Sequence, residues 1–271
     1  MTRWRFRSEG RPVVIAGPCV IEDDGLMLRV AEKLASLGDA LGIPICFKAS
    51  FDKANRSRAE AARGPGLDAG LASLARVRRD SGLPVLTDVH ETGQVAAAAD
   101  AVDVLQVPAF LCRQTDLLVA AGQTGKPVNL KKGQWADAGT MAGAVEKVRG
   151  AGADEVAVTE RGTFFGYGDL VVDFRNVGRL REAAGAPVLF DATHSVQRPG
   201  RGASGASGGD RDQIPALIRA AAAVGVDGFF IETHPDPARA ASDADTQWPL
   251  DRLEPLLRDT LEVWHAARAR T

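Results

Sequence analysis

The feature that most restricts the fold is a repeated alternation. Short runs rich in β-branched and apolar residues occur at 12–17 (PVVIAG), 43–49 (IPICFKA), 84–89 (PVLTDV) and 104–109 (VLQVPA). Four more follow at 127–132 (PVNLKK), 155–161 (EVAVTER), 187–193 (PVLFDAT) and 228–234 (GFFIETH). Each reads as a strand, and several open after a proline, where the missing N–H does no harm. Between them lie stretches such as GLMLRVAEKLASLGDAL, LDAGLASLARVRRDSG and TMAGAVEKVRGAG. Their apolar residues recur at three and four, and several end on glycine, as helices do. Strand followed by helix, about eight times in 271 residues, predicts an α/β fold: one (β/α)8 TIM barrel over residues 1–271. A doubly wound open sheet is the alternative. No Gly-x-Gly-x-x-Gly follows the first strand, and no break in composition marks a second domain.

Composition narrows the function. A net charge of −2 argues against a nucleic-acid binder, so any anion site must come from a local cluster. No run approaches the roughly 18 apolar residues of a membrane span, and the basic start MTRWRFRSEGR lacks the apolar stretch of a secretory signal. Cys19, Cys46 and Cys112 are too few and odd in number for a disulfide framework, which fits a reducing, cytoplasmic setting. Three irregular segments follow the second, seventh and eighth strands: DKANRSRAEAARGPGLDAG, the Gly/Ser-rich RPGRGASGASGGDRDQ (198–213), and PDPARAASDADTQWPL (235–250). All three belong to the C-terminal face, where barrel enzymes put their chemistry. The Gly/Ser segment reads as a mobile lid or as a slack loop.

Alternate residues of a barrel strand point inward. That period aims Ile15, Gly17 and Cys19 inward, then Cys46 with Lys48, and Leu86 with Asp88 and His90. It does the same for Gln106, for Asn129 with Lys131, for Ala157 with Thr159 and Arg161, and for Glu232 with His234. Asp191 and His194 have opposite parity, so the chain must bend after the seventh strand. Nearly every strand therefore ends on a polar group at the barrel mouth. Burying so many is costly unless they bind something.

Cys19, His194, Glu232 and Asp243 offer a thiolate, an imidazole and two carboxylates, a set suited to a divalent transition metal such as Zn²⁺, Fe²⁺ or Mn²⁺. No spacing motif supports the set, and His90 and His234 compete as ligands. Cys46 and Cys112 read as small core residues, and His265 as a surface helix residue. Lys48, Lys53, Arg56, Arg63, Arg113, Lys131 and Arg161 could hold two separate anions. Arg58, Arg63 and Lys132 read more simply as a solvated basic rim.

The stretches AGPCVIE, KASFDKANRS, RGPGLDAGL, LTDVHE, QVPAFLCRQTDLL, VNLKKGQW, TERGTFFGYGDLVVDFR, DATHSVQ and ETHPDPARAASDADTQWPL, in this order from about residue 13 to 257, resemble the 3-deoxy-D-manno-octulosonate 8-phosphate synthases. KANRS is the discriminating stretch, because the related heptulosonate (DAHP) synthases carry an Arg-Thr-Ser/Pro-type signature there. The resemblance implies a (β/α)8 barrel, usually a homotetramer, that condenses phosphoenolpyruvate with arabinose 5-phosphate for lipopolysaccharide synthesis. Cys19 and the SDADTQ stretch resemble the metal-dependent branch, which implies Cys19, His194, Glu232 and Asp243 as ligands. Phosphoenolpyruvate would lie against Lys48, Lys53, Gln106, Lys131 and Arg161, with backbone at Ala109. Asn55, Arg56 and Ser57 would hold arabinose 5-phosphate, with Arg113 supplied by a neighbouring subunit. Lys53, Asp88 and His194 are the catalytic candidates: His194 as ligand, Asp88 or Lys53 as proton handler. A metal-dependent hydrolase or aldolase, a heptulosonate synthase and a non-catalytic phosphosugar-binding barrel are the competing readings.

Overall fold

The computed structural model describes residues 3–54, 63–201 and 208–269. Eight parallel strands follow one another in chain order around a single sheet. They are β1 (Val13–Gly17), β2 (Ile45–Lys48), β3 (Val85–Asp88), β4 (Val104–Val107), β5 (Val128–Lys131), β6 (Val156–Glu160), β7 (Val188–Asp191) and β8 (Gly228–His234). The sheet closes on itself where β8 pairs with β1, from Val13↔Gly228 to Gly17↔Glu232. Outside it run α1 (Asp24–Leu41), α2 (Leu67–Ser81), α3 (Thr92–Ala101), α4 (Thr115–Gln123), α5 (Ala138–Gly150), α6 (Arg175–Ala184), α7 (Ile214–Ala223) and α8 (Leu253–Arg268). The expected (β/α)8 barrel is the observed fold, and closure excludes the open sheet. Among the described residues no helix is long and apolar enough to cross a membrane.

The period-two reading of the strands holds in three dimensions. Residues of one parity (Val14, Ala16, Phe47, Leu105, Leu130, Val158) join the layer between sheet and helices. Those of the other (Val13, Ile15, Cys46, Leu86, Val104, Ala157, Leu189, Phe230) form a separate cluster inside the barrel. The helices complete the outer layer by their own period. On α1, Asp23 accepts a hydrogen bond from the Leu26 N–H at 2.9 Å and so caps the helix. Leu26, Met27, Val30, Ala31, Leu34 and Leu37 then make one buried stripe. Each such side chain contributes about 1.5–3 kcal/mol on full burial.

Two features of the inner cluster have a signal that is easy to pass over. Trp4 and Phe6 close the N-terminal end of the barrel, with Phe6 fully buried, while Arg3, Arg5 and Arg7 between and beside them stay exposed. The basic start of the chain is thus an alternating strip whose aromatic face is the barrel floor. At the other end, β1 and β2 approach so closely that a Cβ at Gly17 would lie 2.1 Å from the Lys48 carbonyl oxygen. Only glycine permits this corner, from which the chain presents Cys19.

Three departures from expectation concern the loops. The segment after β6, for which the sequence predicts no element, folds into a hairpin, Thr163–Gly166 against Asp169–Val171. Lys132, read as a rim residue, is fully buried beneath that hairpin. It pairs with Glu160 at 3.4 Å and donates to the carbonyls of Gly133 and Gly162 at 3.1 and 3.2 Å. Its outward parity was right; the hairpin base covers it. The flanks of the Gly/Ser segment form a two-stranded ribbon, Gln197–Arg198 against Gly208–Gly209. Its centre, 202–207, lies outside the described residues.

Candidate active site

Above the apolar inner cluster, the last inward residue of most strands is polar, and these residues are interlinked. Thr159 Oγ1 donates to Asn129 Oδ1 at 2.6 Å, and Asn129 Nδ2 donates to Gln106 Oε1 at 2.8 Å. This relay runs across β6, β5 and β4 and uses the Gln106 oxygen, which turns its amide NH₂ to the cavity. Phe230 separates floor from site, with Lys131 Nζ lying 3.2 Å from its ring centroid and Lys48 Nζ 5.6 Å away. The ring face favours both ammonium groups. The cavity above has a volume of about 650 Å³ and is lined by Lys48, Lys53, Asp88, Gln106, Ala109, Lys131, Arg161, His194, Glu232 and Asp243.

One wall is a convergence of ligand-type atoms. Cys19 Sγ, a Glu232 carboxylate oxygen and an Asp243 carboxylate oxygen lie within 4.8 Å of one another. His194 Nε2 faces the same point, 3.5 Å from Glu232 Oε2 and 4.0 Å from Asp243 Oδ2. The bend predicted after β7 delivers it there: Asp191 Oδ1 accepts from the backbone N–H of Thr193 and of His194, at 3.1 and 2.8 Å. Asp243 reaches the wall from a loop held at φ +49°, a left-handed conformation costing about 1–2 kcal/mol for a non-glycine residue. Burial, then Asp243 and Glu232, push the Cys19 thiol up, so it keeps its proton and donates to Asp243 Oδ2 at 2.9 Å. Against the cost of burial, Lys48, His194 and Lys53 hold Glu232 below the usual carboxylate range. Glu232 Oε2 is nevertheless without a hydrogen-bond partner among the described residues. An orphaned buried carboxylate oxygen at the focus of a thiol, an imidazole and a second carboxylate fits a divalent transition metal by geometry and donor chemistry. His90 and His234 are not part of this focus: His90 Nε2 pairs with Asp88 at 3.0 Å, and His234 Nε2 lies 3.4 Å from Glu22.

The adjoining wall is cationic. Lys48 Nζ donates to the Cys19 carbonyl at 2.9 Å and to Glu232 Oε1, and Lys53 Nζ stands 3.9 Å from the same oxygen. Burial opposes the charge on Lys53, but the carboxylates of Glu232, Asp88 and Asp243 raise its pKa nonetheless. Lys131 donates to Asp191 Oδ2; burial outweighs that carboxylate and brings its pKa down to about 8. Arg161 Nη2 donates to Gln197 Oε1 at 2.5 Å, and its buried Nη1 has no partner among the described residues. Asp88 accepts from Ser50 and faces His90; despite burial, His90 and then Lys53 hold its carboxyl well below the usual range.

Sequence parity therefore brings Lys48, Asp88, Gln106, Lys131, Arg161 and Glu232 to one cavity, and the loops add Cys19, Lys53, Ala109, His194 and Asp243. Arg113 is exposed and does not line it. Arg63 is on the rim, paired with Asp52. Asn55, Arg56, Ser57 and Arg58 lie outside the described residues. Two glutamines escaped the sequence reading. Gln197 joins Arg161 to Asp243, donating to Asp243 Oδ1 at 3.0 Å. Gln247 accepts from the Cys19 backbone N–H at 3.2 Å. The position of Gln197 at the end of DATHSVQ was the available hint.

Three relatives bear the name 2-dehydro-3-deoxyphosphooctonate aldolase. That of Syntrophotalea carbinolica is 53% identical over 250 residues, covering 92% of this chain and 90% of the relative. That of Nitratidesulfovibrio vulgaris strain DP4 is 51% identical over 258 residues, covering 95% and 94%. That of Rhodopseudomonas palustris strain HaA2 is 55% identical over 258 residues, covering 95% and 90%. With residues 7–266 also matching the family model, the chain belongs to the DAHP synthetase I family.

Proposed function

We propose that this cavity condenses phosphoenolpyruvate with D-arabinose 5-phosphate and water, yielding 3-deoxy-D-manno-octulosonate 8-phosphate and inorganic phosphate for lipopolysaccharide biosynthesis. The observation that carries the reading is the pairing of a buried cationic wall (Lys48, Lys53, Lys131, Arg161) with a thiol–imidazole–carboxylate focus in one cavity. The names of the relatives point the same way. In the reaction, the enol double bond of phosphoenolpyruvate forms the new carbon–carbon bond to the aldehyde carbon, whose oxygen takes up a proton. Water adds at C2 and gives up a proton. The C2–O bond to phosphate then breaks while the C2 hydroxyl passes its proton to the departing phosphate, leaving a keto acid.

Two anions must be brought together against their repulsion. Fixed cations remove that penalty, and holding the carbons in line contributes on the order of 7–11 kcal/mol. Arg161, with an unpartnered buried Nη1, and Lys131 would grip phosphoenolpyruvate and stabilise the departing phosphate. Gln106 offers its amide NH₂. Lys53 supplies positive charge between the two walls. Asp88, an ionised carboxylate fixed by Ser50 and His90, is a candidate proton acceptor in the cavity. Cys19, His194, Glu232 and Asp243 would hold a divalent transition metal, which when bound supplies Lewis-acid charge. Asn55, Arg56 and Ser57 would hold the pentose phosphate, with Arg113 contributed by a neighbour in a homotetramer.

The reaction is tested by phosphate release from phosphoenolpyruvate plus arabinose 5-phosphate, before and after chelation, with metals added back. Loss on chelation and rescue by a metal is the expected result. Activity surviving verified metal removal would make Cys19 a bystander, and no phosphate release under any condition would overturn the synthase. The family model's heptulosonate name favours one alternative, which predicts faster turnover with erythrose 4-phosphate than with the pentose phosphate.

The pH profile follows from Lys131, whose charge is present below about pH 8 and lost above it. We expect kcat/KM for phosphoenolpyruvate to fall above about pH 8, approaching tenfold per unit. The alkaline limb of kcat should lie higher, because a bound anion stabilises the ammonium. A kcat/KM flat to pH 9.5 (roughly 1.5 units above that value) would remove Lys131 from anion binding.

A further inference from the structure

The two walls of the site share Asp191 as well as Glu232. Asp191 is fully buried at the end of β7, and among the described residues its hydrogen-bond donors are Lys131, His194 and the backbone N–H of Thr193. Oδ1 is occupied by the Thr193 and His194 backbone N–H groups, which fixes the plane of the carboxylate. Oδ2 accepts from His194 Nδ1 at 2.8 Å and also from Lys131 Nζ. With Nδ1 used in this way, Nε2 is the ring nitrogen left to face Glu232 and Asp243. Lys131 is held at the same time over the face of Phe230, among the groups that line the anion end of the cavity.

One oxygen thus serves two donors that compete for its charge. We propose that Asp191 is a positioning residue that couples the two walls, aiming His194 Nε2 and holding Lys131 so that a ligand on either wall tightens binding on the other. An anion that draws on the Lys131 ammonium leaves more of the Oδ2 charge to His194 Nδ1–H, which makes the imidazole a better donor at Nε2. A cation at Nε2 polarises Nδ1–H, strengthens its bond to Oδ2 and loosens the hold on Lys131. The coupling is equal in both directions by linkage. This inference rests on the metal reading of Cys19, His194, Glu232 and Asp243 given above.

The test uses cobalt(II) and phosphoenolpyruvate on the full-length chain. Cobalt is titrated into metal-free protein and followed by the thiolate-to-cobalt absorption band from Cys19, with and without saturating phosphoenolpyruvate. In the unsubstituted protein we expect phosphoenolpyruvate to tighten cobalt binding by roughly 5–150-fold. Asp191→Asn, checked for folding by circular dichroism, should weaken cobalt binding by roughly 10–100-fold. It should also shrink the phosphoenolpyruvate effect to the residual attraction between ion and anion. Asp191→Ser, which keeps an oxygen for the Thr193 and His194 N–H groups, is measured the same way if the asparagine variant does not fold. Equal cobalt affinity and equal coupling in a folded variant and the unsubstituted protein would overturn the proposal while leaving the metal reading intact. Failure of the unsubstituted protein to give the thiolate band would overturn the metal reading, and this inference with it.

Discussion

Arg161→Met lowers kcat/KM for phosphoenolpyruvate by roughly 10²–10³-fold, the range for loss of one donor aimed at developing anionic charge. The side chain is 5% exposed, yet only its Nη2 is accounted for, by Gln197. Burying a guanidinium nitrogen without a partner costs about 1–3 kcal/mol, and burial outweighs the nearby carboxylates of Asp191, Asp243, Glu160 and Glu232, so the ligand-free fold offsets that cost only in part. The melting temperature of the ligand-free methionine variant should therefore be equal to or above that of the unsubstituted protein. Activity falling while ligand-free stability holds is the signature of a group retained for a ligand. Turnover within threefold of the original (about 0.6 kcal/mol) would remove Arg161 from the anion site.

Glu232→Gln is expected to be the most damaging single substitution in the cavity. Its carboxylate is fully buried, is the anionic partner of Lys48 and lies 3.9 Å from Lys53. Neutralising it leaves a buried ammonium uncompensated, at about 3–5 kcal/mol of stability. It also places an amide where a metal would need a charged oxygen. We expect metal content after dialysis to fall below about one-tenth of an equivalent, since even an indirect metal partner changes affinity 10–100-fold. Turnover should fall at least as far. Full metal occupancy in the glutamine variant, measured by elemental analysis, would show that Glu232 is a counter-ion to Lys48 and nothing more.

The legible part of this molecule was the part governed by period two. PVNLKK places Asn129 and Lys131 inside and Val128 and Leu130 outside because a parallel strand has no other choice once its apolar face is buried. The same rule delivered Lys48, Asp88, Gln106 and Glu232. What stayed hidden was set by contacts remote in sequence. Lys132 has the parity of a rim residue, and only the hairpin at 163–171 makes it internal; that hairpin, GTFFGYGDLVV, is too rich in glycine to read as strand. Trp4 and Phe6 are two apolar residues among arginines, too short a pattern to register as a barrel floor. Asp191 was visible only as opposite in parity to His194, and its sharing between His194 and Lys131 depends on a turn whose geometry no spacing encodes.

Closure of the barrel between β1 and β8 also dictates when the protein becomes functional. Cys19 and Asp243, partners across that seam, are 224 residues apart in the chain. The ligand focus therefore has no partial version: a nascent chain that has built β1 through β7 holds Cys19 and His194 but neither Glu232 nor Asp243. Until β8 arrives, β1 and β7 are open edges, the kind of surface through which unfinished sheets pair with one another. Contacts of such long span slow folding, because loop entropy is lost before they form. The interval of greatest aggregation risk during synthesis thus ends with the same event that first assembles the catalytic cavity.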